Sequence, residues 1–380
     1  MTNMFATTPT PMLAITFSLF MLSSAQNGGH DSGAYTLTDD LSYDNFFDNF
    51  DFFSGPDPTK GFVQYQNMTS AVDQGLVGYL EDTKSVFMGV DYMNKDPKGR
   101  ASVRLESKNN FNHGLLVTDI RHMPASQCGS WPAFWMLGQE NWPRGGEIDL
   151  VEGVNDYEHN VVTLHTSKGC IVDNTTSPNL GSSQADDFNA SFTGTLTTDD
   201  CDVAAEDQDK NVGCSIKAPT SLSLVQMGTG ASQEQVPLPS YGTEFNKAGG
   251  GIYAMEWTPS SISVWFFPHS SPLYKSTSNS TIPDPKQWGT PLAYFAGSGC
   301  DFEARFKDLR IIFNTAFCGE WAGKEWDKSC AQKTGVDTCD AYVRDNPEVF
   351  KDSYWEIKGL KWYQRKDFFL DISRRVAKAV

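Results

Sequence analysis

The sequence predicts an all-β sandwich built as one domain over roughly residues 35–364. Short β-rich segments recur along most of the chain, each bounded by Gly, Asn or Pro, and long helical periodicity is scarce. No internal repeat and no Ser/Pro linker divides the chain. Its 380 residues suffice for one large all-β domain or two modest ones. With 39% apolar residues the chain can fill a sizeable core, and the ten Trp and twenty-five Phe exceed what a core needs. Part of this aromatic excess is expected to line a binding surface.

The N-terminal apolar run, Met12 to Leu22, ends at Ser23-Ser24-Ala25. It has the length of a signal-peptide core and is too short to span a bilayer, so residues 1–25 are expected to be a leader, although no Lys or Arg precedes the run. A short polar lead covers 26–34. The stretch Tyr35 to Phe53 is rich in Phe and Asp, and Gly55-Pro56-Asp57-Pro58 closes it with a turn. Strands are then expected at Phe62–Tyr65, Ala101–Leu105, Gly114–Val117, Ile252–Trp257, Ser261–Phe267, Leu309–Phe313 and Tyr354–Tyr363. Residues 173–248 are Ser/Thr/Asp/Gly-rich and read as long loops pinned by Cys170, Cys201 and Cys214. The final stretch, 365–380, is a basic tail without the apolar end of a glycolipid-anchor signal.

Charge and cysteines narrow the function. A formal charge of −17 repels nucleic acid and suits a neutral partner. Eight cysteines without a CxxC pair or a Cys/His cluster favour disulfides over metal, so no metal and no cofactor is expected. Cys330 and Cys339 are near enough in sequence to pair locally. Four N-x-[ST] sequons, at Asn67, Asn174, Asn189 and Asn279, agree with export to an extracellular location. No segment after the leader approaches the length of a membrane helix, so no membrane anchor is expected, and the protein reads as a monomer.

The chemistry concentrates in Gly146-Glu147-Ile148-Asp149-Leu150-Val151-Glu152-Gly153. In a regular strand Glu147 and Asp149 share a face and Glu152 falls on the other. A β-bulge near Leu150-Val151 would bring Glu152 back. Four strand steps then separate the two Glu residues, ~13 Å along the chain. Two converging side chains reduce this to roughly 5 Å between carboxylates, the spacing of a retaining glycosidase, where an inverting one needs ~6.5–9.5 Å. Like charges so close cannot all ionise cheaply, which separates a nucleophile from a proton-holding acid. Asp149 is positioned to share a hydrogen bond with Glu147 and tune it.

An acidic solvent-facing strand would carry the same octapeptide. The flanks argue otherwise: Trp131 to Leu137 just upstream and Asn141-Trp142-Pro143-Arg144 beside it supply aromatic faces suited to sugar rings. Trp135 and Trp142 are the expected cleft residues. If Val161–His165 is the hairpin partner of the Glu strand, Thr163 and His165 share a face toward the cleft. No G-x-S-x-G, H-E-x-x-H, P-loop or G-x-G-x-x-G competes.

At these residues the chain resembles glycoside hydrolase family 16, in its fungal endo-1,3(4)-β-glucanase (laminarinase-type) branch. The likeness extends through Asp57–Tyr65, His122-Met123-Pro124, Cys128–Trp135, Leu164–Ser167, Tyr253–Thr258 and Phe313–Gly323. It implies a concanavalin-like β-jelly-roll sandwich with a concave substrate groove, and retaining endo-hydrolysis of β-1,3- or mixed β-1,3/1,4-glucan. It implies Glu147 as nucleophile, Glu152 as general acid/base and Asp149 as helper. Substrate contacts are implied at Trp135, Trp142, Arg144, His165 and Trp288. Two rivals share parts of this pattern. A cell-wall glucan transglycosylase would use the same carboxylates, and a non-catalytic glucan-binding protein would have no need of the pair.

Overall fold

Two eight-stranded sheets carry the molecule, and alternating burial along their strands explains how they pack. A computed structural model describes residues 35–173, 192–223, 234–271, 274 and 283–365. The strands in chain order are β1 (Tyr35–Asp40), β2 (Phe50–Phe52), β3 (Val63–Tyr65), β4 (Val77–Leu80), β5 (Ser85–Met88), β6 (Arg100–Ser102) and β7 (Arg104–Ser107). Next come β8 (Gly114–His122), β9 (Ser130–Gly138), β10 (Glu147–Glu152), β11 (Val161–His165), β12 (Thr195–Thr198), β13 (Cys214–Lys217), β14 (Ser221–Ser223) and β15 (Gln235–Pro237). The last five are β16 (Gly251–Trp257), β17 (Ser261–Pro268), β18 (Ala293–Ala296), β19 (Leu309–Phe317) and β20 (Trp355–Arg365).

One sheet runs β18-β17-β16-β8-β20-β5-β4, with β1 added beside β20. The other runs β12-β13-β11-β10-β9-β19-β7-β2. Every strand pairing within them is antiparallel, whereas the small β3–β6 pair is parallel. Between the sheets, Leu116, Ile120, Tyr253, Met255 and Trp257 of the first meet Phe134, Met136, Ile148, Leu164, Ile311 and Phe313 of the second. Phe134 and Phe313 stack with ring centroids 4.3 Å apart. A two-sided sheet needs one apolar face per strand, and this period-two pattern is what the sequence displays.

The expected strands are present, with local differences. Ala101–Leu105 is divided between β6 and β7 because Val103 interrupts the pairing. β8 and β19 run longer than their most β-rich residues, to nine residues each. Two short helices, Cys330–Thr334 and Cys339–Asp345, lie in a region the sequence reading left unassigned.

All eight cysteines are paired: Cys128–Cys330, Cys170–Cys300, Cys201–Cys214 and Cys318–Cys339. The local Cys330–Cys339 pairing is therefore incorrect. Each cysteine instead ties one of the two helices back to a distant strand end, and both join a second core with Val63, Phe317, Trp326, Val343 and Phe350. Residues 1–34 and 366–380, where the leader and basic tail are expected, lie outside the described residues, as do the sequons at Asn174, Asn189 and Asn279. Asn67 is exposed and caps the helix Met68–Asp73 through Ser70 N. Among the described residues, no helix is long and apolar enough to cross a membrane.

Candidate active site

Gly146 turns the chain into β10 at φ +77, and a Cβ there would lie 2.5 Å from both Arg305 O and the Phe306 ring. Only glycine meets both demands. β10 then pairs regularly with β9 and β11 as far as Asp149: Glu147 opposes Leu137 and His165, and Asp149 opposes Trp135 and Thr163. Beyond it the register with β9 shifts, Val151 opposing Phe134 and Glu152 opposing Ala133. Leu150 is the extra residue of a β-bulge, and Leu150 and Val151 are both fully buried apolar side chains. The bulge restores Glu152 to the face of Glu147 and Asp149. All three carboxylates line one cavity of about 270 Å³.

Each carboxylate has its own partners. Trp142 Nε1 donates to Glu147 Oε2 at 2.5 Å, from a loop closed by the turn bonds Arg144 N to Asn141 O and Gly146 N to Pro143 O. Trp131 Nε1 donates to Glu152 Oε1 at 2.8 Å. Asp149, 2% exposed, lies 3.2 Å from His165 Nε2 through its Oδ2, a contact without hydrogen-bond alignment. Its carboxyl and that of Glu147 act on one another's ionisation. Burial, reinforced by Asp149, pushes the Glu147 carboxyl up to about 7. Burial also lifts Glu152 well above the usual carboxylate range, Asp149 adding to it while the Trp131 indole opposes it. Asp149 itself is raised by burial. These groups titrate as a set, with one proton or more retained near neutral pH.

The aromatic residues divide. Trp135 lines the cavity; its Nε1 donates to Asn314 Oδ1 at 2.7 Å and the Arg104 guanidinium sits 4.9 Å from its ring centroid. Trp142 lines it at 47% exposure. Arg144 is exposed on the Trp142 loop and does not line the cavity. Trp288 is displaced from the expected role altogether. It is 5% exposed, belongs to a cluster with Trp265 and Phe267 of β17, and packs edge-on to both. An aromatic ring buried on the opposite sheet offers no stacking face to a sugar in this cavity.

Arg104 and Asn314 also line the cavity, as does Trp131, which the sequence groups with the upstream aromatic faces without marking it as a cleft residue. Period-two counting back from Trp135 reaches Ala133 and Trp131, so that signal was available. Arg104 and Asn314 come from β7 and β19, and only the register Asn314↔Arg104 and Asn314↔Ala133 brings them in. Glu147, Asp149 and His165 hold one ligand-type atom each within 4.8 Å of one another, a spacing that also suits a cation.

A two-sheet β-sandwich with paired, proton-sharing carboxylates and indole rings in one cleft is the arrangement of a glycoside-cleaving protein. The chain matches the XgeA-like catalytic GH16 domain family over residues 50–227 and 220–363. It is 42% identical to an endo-1,3(4)-beta-glucanase of Arthroderma benhamiae, over 88% of this chain and 66% of that protein. It is 39% identical to the endo-1,3(4)-beta-glucanase xgeA of Emericella nidulans, over 88% of this chain and 48% of that one. The chain thus spans between about half and two thirds of the length of these relatives. Among solved structures it is similar to an elongating GH family 16 beta-1,3-glucosyltransferase (40% identity, TM-score 0.72, 87% of this chain and 100% of that one). Laminarinase 16A from Phanerochaete chrysosporium, solved with beta-glucans in donor and acceptor sites, is similar at 33% identity, TM-score 0.72 and the same coverage. The chain belongs to glycoside hydrolase family 16, and its fold is the jelly roll of that family's laminarinases.

Proposed function

We propose that this chain is a secreted, retaining endo-β-1,3(4)-glucanase acting by double displacement on β-1,3- or mixed-linkage glucan. The observation that carries the reading is the bulge at Leu150, which turns Glu147, Asp149 and Glu152 into a single cavity. Glu147 attacks the anomeric carbon while Glu152, kept protonated by burial, donates to the departing glycosidic oxygen. The glycosyl–Glu147 ester is then cleaved by a water that Glu152, now the base, deprotonates. The Trp142 indole steadies the Glu147 carboxylate, Asp149 beside it tunes its charge in the opposite sense, and Trp135 offers an apolar ring to the sugar C–H faces. The names of the fungal relatives support the substrate class, and four disulfides support an extracellular or cell-wall setting. With laminarin, lichenan, cellulose and galactan as substrates, reducing ends are expected to rise with the first two. Glu147→Gln and Glu152→Gln are expected to lower that rate by at least about 10³-fold with the fold intact. Near-wild-type turnover in either variant overturns the reading.

A second reading is favoured by one finding, the 40% identity to an elongating glucosyltransferase. In that case a glucan hydroxyl replaces water in the second step, from the same glycosyl–enzyme. Redistribution of chain lengths without new reducing ends would identify it.

A further inference from the structure

We propose that Asn160 is a positioning residue for Glu152, its side-chain amide standing in for the neighbouring strand that the bulge displaces. This rests on Glu152 being the general acid/base. Continuing the register of Asp149↔Thr163 along the two strands would bring Glu152 opposite Asn160, but β10 and β11 stop pairing at Asp149. On that side the Leu150 carbonyl and the Glu152 N–H are left without a backbone partner, in a region that excludes water. Asn160 Oδ1 accepts from Glu152 N at 2.8 Å, and Asn160 Nδ2 donates to Leu150 O at 2.7 Å. One planar amide therefore satisfies both groups flanking Val151, with the same donor and acceptor pair that a peptide unit would present. The opposite amide orientation would set N–H against N–H and oxygen against oxygen, so the assignment has a single solution.

Asn160 is itself immobilised. It is fully buried, its N–H donates to Ser240 Oγ at 3.1 Å, and its carbonyl accepts from Ala218 N at 2.9 Å. Ser240, also fully buried, is held in turn by the Tyr253 hydroxyl donating to its carbonyl, so the support reaches β16 of the opposite sheet. The N–H held by Asn160 belongs to Glu152 itself, so this bond sets the Cα from which the carboxyl projects toward Trp131. The other end of β10, where Glu147 stands, is held by backbone ladders on both sides and does not need the amide. Loss of the amide should therefore impair Glu152 while sparing Glu147.

A leaving-group comparison separates those outcomes. Departure of dinitrophenolate from an activated aryl β-laminaribioside needs no proton, whereas departure of a glucan hydroxyl does. In Asn160→Ala, laminarin turnover is expected to fall on the order of 10²-fold, while the first-turnover burst of dinitrophenolate stays within about twofold of wild type. Azide, which attacks the glycosyl–enzyme without a base, should raise the variant's steady-state rate on the aryl glycoside. Ser240→Ala, a milder change, should show the same selectivity on a smaller scale, and it decides the matter if Asn160→Ala does not fold. Equal losses on both substrates, or no loss on either, in a folded variant overturn the proposal. Glu152→Ala run alongside tests the underlying reading: if it also loses both substrates equally, the role of Glu152 fails, whatever Asn160 does.

Discussion

The first half of β10, Glu147–Asp149, is bonded to a strand on each side, whereas the second half, Leu150–Glu152, has β9 on one side and a single asparagine side chain on the other. The regular half carries a carboxylate at the mouth of the cavity, reached by the exposed Trp142. The bulged half carries one beside the more enclosed Trp131. Two residues of one type, five positions apart, thereby acquire different surroundings. Regular pairing sets direction by default; an interrupted ladder has to be held by side chains, and what it gains is a residue turned to a face that its position in the sequence would deny it.

Moving Glu152 off the shared face should break this contrast most severely. Inserting an alanine between Val151 and Glu152 adds one strand step beyond the bulge and turns Glu152 toward the core. Laminarin turnover is expected to fall at least as far as in Glu152→Gln, by about 10³-fold or more, as read by reducing-end release. An insertion variant with substantial activity would show that the shared face is dispensable. The two indole donors test the halves separately. Each stabilises the ionised form of its carboxylate, so replacing it with Phe raises that group's pKa. Trp131→Phe keeps Glu152 protonated to higher pH and should move the alkaline limb of kcat/KM up by about one unit. Trp142→Phe makes Glu147 harder to ionise and should move the acidic limb up. The second shift is expected to be smaller, on the order of half a unit, because water competes for a half-exposed pair.

Stability should report the same asymmetry without any substrate. Glu147 has its carboxyl pushed up to about 7 in the folded state, against an ordinary value of 4.5. A raised carboxyl favours the folded state while both states hold the proton, below about pH 4.5. That contribution is lost as pH rises through about 7, where the unfolded chain ionises more readily. The melting temperature of Glu147→Gln should therefore gain on wild type across this window and match it below, in a pH series of thermal unfolding. The smallest effect on catalysis is expected far from both halves. Trp288→Ala removes a buried ring from the other sheet, so stability should fall by ~3–5 kcal/mol in denaturant unfolding while KM for laminarin is unchanged. A raised KM would return Trp288 to the substrate path.

Much of the fold was legible because a strand's side-chain period depends only on its own backbone. Tyr253, Met255 and Trp257 alternate toward the core as their spacing requires, and β16 and β17 fall where β-rich residues and a Thr-Pro-Ser turn predict them. The bulge was legible for a different reason: three acidic residues at that spacing can share a face only if one residue is extra. Trp288 was misread because a Trp close to a cleft motif in a family pattern carries no mark of which sheet it packs on. Its ring is buried by Trp265 and Phe267, and those contacts depend on how the chain returns after β17. The cysteines failed for the same reason: proximity in sequence favoured Cys330–Cys339, whereas strand and helix packing brings Cys128 to Cys330 and Cys318 to Cys339.

By itself, then, the sequence determined the strand periodicity, the size of the core, and the identity and local geometry of the acidic strand, all of which follow from chain stereochemistry and apolar patterning over a few residues. Tertiary structure alone decided that Arg104 and Asn314 reach Trp135, that Trp131 serves Glu152, and that an amide from Asn160 closes the gap in the ladder. Those contacts join segments whose separation in sequence sets no distance between them. They exist because sheet register and the burial of one face bring particular residues opposite one another, and a shift of one residue in that register would replace them all.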